Sequence, residues 1–136
     1  MSTKGRKEKY RDIFASSKKT DYFGTIFDSM CRSKAYKDLS LGAKHFYTLC
    51  RVQARSKAGR ACLYAHSKEF NNTYDAERYF VFPAKHQEAY GVLRQNGNRY
   101  LQELERAGFI EKVEQNNHIK KVNVYRFSRK WQEVVD

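Results

Sequence analysis

The segment NGNRYLQELERAGFIEKVE constrains the fold more than any other part of the chain. Its first half carries Tyr100, Leu101, Leu104 and Ala107 at helical spacing, one apolar face on an otherwise polar helix. Gly108 follows at once, and glycine readily adopts the left-handed backbone that ends a helix. Phe109 and Ile110 then open a strand, FIEKVE, which turns at QNNH and returns as IKKVNVYRF. The pattern predicts a helix over 96–107 and strands near 109–114 and 119–127. A helix delivered straight into a hairpin leaves few arrangements for the elements before it.

Those elements are read in the same way. Tyr79-Phe80-Val81-Phe82 is a short apolar run closed by Pro83, which suits a strand near 79–82 and a helix start. The helix, AKHQEAY, is expected over 84–90 and stops at Gly91. Ser40 stands where an N-cap belongs, before LGAKHFYTLCRVQAR. There Ala43, Phe46, Tyr47, Cys50 and Ala54 form one stripe, predicting a helix over 41–55. In DYFGTIFDSMCRS, Phe23, Ile26, Phe27 and Met30 have helical spacing, so a first short helix is expected. Residues 56–78 show no sustained period and contain Gly59 and paired asparagines, the marks of a long loop or insertion. A chain of 136 residues accommodates one domain, 21–136, plus a tail. Residues 1–20 hold seven bases (Lys4, Arg6, Lys7, Lys9, Arg11, Lys18, Lys19) against Glu8 and Asp12, which reads as a basic flexible arm. The competing reading of that arm is a solvated tail that only aids solubility.

Helix, glycine turn, helix and hairpin, in that order, give an α+β, mostly helical winged helix-turn-helix with a C-terminal β-hairpin wing. YFVFP, YGV, NRYLQELERAGFIEKVE and KKVNVYRFSRKW resemble the winged helix-turn-helix proteins encoded by bacterial mobile elements, plasmids and phages. Some of these are replication initiators or primosome-loading factors. The resemblance runs from near Asp21 to Trp131 and is most specific at the join from Leu104 to Ile110. It implies DNA binding in the replication or regulation of a mobile element. Relatives place a serine or threonine cap after the glycine turn, whereas this chain has Val92-Leu93-Arg94. Gly97 also falls where a helix interior would cost roughly 1 kcal/mol against alanine. The accommodation expected is a longer turn, with Asn96 as N-cap and Gly97 in the first helical turn.

Charge points the same way. Lys+Arg 27 against Asp+Glu 15 gives +12, a balance that attracts nucleic acid or an anionic membrane surface. No apolar run approaches the ~20 residues of a spanning helix. The N-terminus MSTKGRKEKYRD has no apolar core behind it, so no secretory signal is read there. Cys31, Cys50 and Cys62 are odd in number and widely spaced, the pattern of reduced thiols in a cytoplasmic protein.

On the second helix of the motif, Arg94, Gln95, Asn96, Asn98, Arg99 and Gln102 are the candidate DNA contacts. Asn and Gln pair bidentately with adenine and Arg with guanine, each worth ~1–3 kcal/mol of discrimination. The plain alternative is a solvated polar face. Residues 112–130 hold Lys112, Lys120, Lys121, Arg126, Arg129 and Lys130 against Glu114 alone, making the wing basic. Lys120 and Lys121 lie beside the wing turn, where backbone phosphates would pass. Strand alternation sends the two to opposite faces, so one of them would make the contact. Lysines that guard an edge strand against aggregation are the competing reading.

No enzymatic site is read, and no metal or cofactor is expected. Cys62 and His66 have ligand-like spacing, but no second pair accompanies them as structural zinc requires. No glycine-rich phosphate loop precedes a Lys-Ser/Thr pair. Glu103 and Glu105 are near neighbours on one helix and point apart, unlike the convergent carboxylates of a metal-dependent nuclease. Phe46, Tyr100, Phe109 and Phe127 sit on predicted core faces, so packing accounts for them better than base stacking. DNA is therefore the expected partner, with replication proteins and a second copy of the chain, as a homodimer, the protein partners to consider. Two alternatives remain open: a protein-interaction or helicase-loading module on the same scaffold, and a single-stranded DNA binder.

Overall fold

A computed structural model describes residues 16–17, 21–69, 75, 77–114 and 123–134. In chain order the elements are α1 (Asp28–Cys31), α2 (Lys34–Lys37), α3 (Leu41–Arg55), α4 (Lys57–Glu69), β1 (Tyr79–Val81), α5 (Ala84–Ala89), α6 (Arg94–Arg106), β2 (Ile110–Glu114), β3 (Val124–Phe127) and a 3₁₀ turn (Lys130–Glu133). The Ser40 hydroxyl caps α3 by accepting from the Ala43 N–H at 3.2 Å. The predicted stripe is the buried one: Ala43, Phe46, Tyr47, Cys50 and Ala54 all face inward.

The strands form an antiparallel sheet in the order β1-β3-β2. Tyr125 is central, opposite Phe80 on one side and Lys112 on the other, and the β2–β3 register shifts between Lys112 and Glu114. One core joins α3, α6 and the sheet through Phe46, Leu101, Leu104, Phe109, Ile110, Phe80 and Tyr125. Each such side chain contributes about 1.5–3 kcal/mol when fully buried. The aromatic rings interlock: Phe46 stacks on Phe82 at 5.2 Å and Phe109 on Trp131 at 5.8 Å between centroids. The result is α+β and mostly helical with a small three-stranded sheet, a layout compatible with a winged helix.

Both expected glycine turns are present and share one geometry. After α5, Gly91 has φ 78°, its N–H donates to the Glu88 carbonyl, and Val92 N–H donates to the Gln87 carbonyl. After α6, Gly108 has φ 88°, with Gly108 N–H on the Glu105 carbonyl and Phe109 N–H on that of Leu104. These paired bonds are the Schellman closure, which satisfies the last carbonyls of a helix and sends the chain off sharply.

Three expectations are corrected. Residues 57–69 are helix, not loop, because Gly59, Leu63 and His66 line one buried edge of α4. Gly59 allows that helix to start against the carbonyl of Gln53, since a Cβ there would come within 2.1 Å of it. The helix expected around Phe23–Met30 begins only at Asp28. Ahead of it the backbone crosses α3 at Gly24, where a Cβ would come within 2.7 Å of that of Arg51. Finally, α6 starts at Arg94 with Leu93 as its N-cap, so Asn96 is not the cap and Gly97 is interior. Lys120, Lys121 and the wing turn lie outside the described residues, as does the basic arm apart from Ser16 and Ser17.

Candidate nucleic-acid interface

Three contacts aim α6. Tyr100 lies over Gly42 of α3, where a Cβ would come within 2.4 Å of its ring, and packs at 5.8 Å from Phe46. Glu103 accepts from Ser40, through the backbone N–H at 2.7 Å and the hydroxyl at 2.8 Å. Glu105 accepts from the backbone N–H of Lys112 on β2 at 3.1 Å. Both carboxylates of the helix are thus spent on holding it against its neighbours.

A fourth contact sets the helix-turn-helix crossing. Gln87 of α5 is buried; its side-chain amide donates to the Phe82 carbonyl at 2.8 Å, and its Oε1 presses on Gly97. A Cβ at residue 97 would come within 1.8 Å of that oxygen. Glycine inside α6 therefore leaves the room that the buried Gln87 side chain occupies between the two helices.

The opposite face of α6 is left to solvent. Arg94, Gln95, Asn98, Arg99 and Gln102 are exposed, and Arg106 extends the row by one turn. Asn96 is half-buried and accepts from the Arg99 guanidinium at 3.2 Å, while that guanidinium lies 5.5 Å from the Tyr100 ring centroid. The structure thus brings the six α6 candidates together on and beside one surface. Arg106 was missed, although its position four residues after Gln102 puts it on the same row. Among the described residues, Arg94, Arg99 and Arg106 have no salt-bridge partner. A face of arginine and side-chain amides has the donor set for base edges and phosphates, with Asp38 and Glu103 at its edge beside Arg99 and Arg106. Leu93 is 61% exposed, and as the N-cap of α6 it makes no side-chain cap hydrogen bond to the first N–H groups of the helix.

Other charges nearby are paired. Arg126 on β3 bonds Glu111 on β2, and Lys130 lies 3.9 Å from the same carboxylate. The Arg126 hydrogen bond holds the Glu111 carboxyl below its ordinary range. On α4, His66 is buried and contacts Glu114 at 2.9 Å. Cys50 is fully buried, and burial pushes its thiol pKa well up. Among the described residues no group of three His, Cys, Asp or Glu could hold a metal, and no helix is long and apolar enough to cross a membrane. No protein-family model, curated protein or solved structure matches the chain.

Proposed function

We propose that the chain is a winged helix-turn-helix protein that binds duplex DNA, with α6 in the major groove and the β2–β3 hairpin as wing. The observation that carries this reading is the division of labour on α6. Its half-buried carboxylates are bonded to Ser40 and Lys112 on neighbouring elements, while its exposed arginines have no ion-pair partner among the described residues. The net charge of +12 and the resemblance to mobile-element proteins support the same reading. Replication or regulation of a mobile element is the process proposed, with Lys120 or Lys121 anchoring phosphate. A scaffold that serves only to dock proteins has no need of an exposed row of arginines without ion-pair partners, so the helicase-loading reading ranks second.

Selection from a random duplex library, followed by anisotropy titration across salt concentrations, tests the proposal. Neutralising about six phosphates gives a log–log salt slope near −5. A flat salt response, or no enriched sequence, would contradict duplex reading by α6.

A further inference from the structure

A second concave surface lies away from α6. Arg51 and Arg55 of α3, Arg60 and Tyr64 of α4, and Tyr22 and Phe23 of the segment crossing α3 line an open cleft of about 990 Å³. Along α3, Arg51 and Arg55 of this cleft lie about 14 and about 20 Å from Gly42 and its Tyr100 contact, at 1.5 Å rise per residue. None of the α6 candidates lines it.

Its chemistry is specific. Arg51 and Arg55, and likewise Arg60 and Tyr64, are one helical turn apart, so each pair presents on one face of its helix. The Arg51 guanidinium sits 4.5 Å from the Phe127 ring centroid and also reaches the Tyr47 hydroxyl, and that of Arg55 lies 5.6 Å from the Phe23 ring centroid. Among the described residues Arg51, Arg55 and Arg60 have no salt-bridge partner. Arg78, at the rim, is paired with Asp75 at 3.0 Å. Asp21 and Glu77 also line the cleft, and Asp21 accepts from the Tyr22 N–H at 2.9 Å and the Ser16 hydroxyl at 3.1 Å. Three rings remain open to solvent: Tyr22 is 43%, Phe23 60% and Tyr64 53% exposed.

We infer that this cleft binds unpaired nucleotides of a single nucleic-acid strand, separately from the duplex face. Guanidinium forks match phosphates, and open aromatic faces stack bases, the combination by which proteins hold single strands. A duplex keeps its bases stacked on one another and offers none to Tyr64 or Phe23. An acidic peptide would use the arginines but leave the rings idle, and it would be repelled by Asp21 and Glu77. A nucleotide strand is repelled by those carboxylates too, but it gains the ring contacts.

The test measures anisotropy of a short fluorescein-labelled oligo-dT strand and, separately, of a mixed-sequence duplex. Tyr64→Ala and the pair Arg55→Ala/Arg60→Ala should each weaken oligo-dT binding at least about fivefold, the low end for one stacked base. Tyr64→Phe keeps the ring and should bind as the wild type does. Duplex affinity should be unchanged in all three. All of these side chains are exposed, and circular dichroism melting confirms that the variants fold. Arg99→Ala should leave oligo-dT binding intact, so failure of the duplex proposal and failure of this one give different results. Wild-type protein that ignores oligo-dT would overturn the inference. So would equal losses on duplex and single strand. Displacement of oligo-dT by poly-glutamate, with Tyr64→Ala without effect, would overturn it in favour of an acidic-peptide site.

Discussion

Ser40 and Glu103 tie the N-terminus of α3 to α6: the Ser40 backbone N–H and hydroxyl donate to separate oxygens of one carboxylate, at 2.7 and 2.8 Å. The same hydroxyl oxygen accepts from Ala43, so a single serine caps its own helix and receives the neighbour's acid. Glu103→Ala leaves the Ser40 cap on Ala43 but removes the charged acceptor for the Ser40 N–H and hydroxyl, and should lower stability by about 1–2 kcal/mol. Glu103→Gln, which keeps one acceptor oxygen, should lose less. Urea unfolding midpoints at neutral pH check both, and an unchanged midpoint for Glu103→Ala would mean that the clasp is not formed.

Gly97→Ala tests the α5–α6 crossing by the sign of its effect. On an exposed helix face, glycine to alanine stabilises by roughly 1 kcal/mol. Here the new methyl group would drive into the Gln87 amide, which its bond to the Phe82 carbonyl holds in place. Destabilisation by about 1–3 kcal/mol is expected, as for overpacking of a filled site. Adding Gln87→Ala should recover part of the loss, a coupling that a double-mutant cycle in thermal unfolding reads out. Stabilisation by Gly97→Ala alone would show that the helices do not meet there.

Glu111 gives the β-hairpin a pH dependence of definite sign. Its folded-state pKa is lowered, chiefly by the Arg126 hydrogen bond. A depressed carboxylate pKa contributes stability above the unfolded-state value and loses it as pH falls through the folded-state value. Glu111→Gln should thus be less stable than wild type at neutral pH, and the gap should close in acid. The pair is partly exposed, so the effect is modest and shrinks with salt. A gap that persists at low pH would assign the loss to packing.

The sequence made some elements plain and hid others, for physical reasons. Ser40 before an apolar stripe, and Gly108 before Phe109 and Ile110, are local signals that depend little on the rest of the fold, and α3 and the α6–β2 join follow them. Helix α4 gave no such signal. Its buried edge is built from Gly59, Leu63 and His66, and two of those three residues are not apolar by type. Gly97 misled in the other direction. Glycine as a poor helix former and glycine as a close-packing site look alike until Gln87, from another helix, is seen against it. Residues 21–27 carry helical spacing, yet Phe23 and Phe27 end up exposed because the backbone, not a side-chain stripe, packs on α3. The polar row of α6 was legible from Arg94 to Gln102 but not at Arg106, its last member. The arginine-and-tyrosine cleft was not, since it is assembled only when α3 and α4 fold against each other.

The most direct measurement compares wild type and Arg99→Ala on the duplex site recovered by selection and on random duplex, under one salt condition. Arg99 is exposed, lies off the Leu101–Leu104 core face and donates to the Asn96 side chain one turn before it. If α6 lies in the major groove and Arg99 reads a guanine edge, affinity for the selected site falls by about 1–3 kcal/mol and random duplex changes far less. If Lys121 anchors phosphate as proposed, Lys121→Ala should weaken both DNAs about equally. Unchanged affinity of Arg99→Ala for both duplexes would contradict the placement of α6 on DNA.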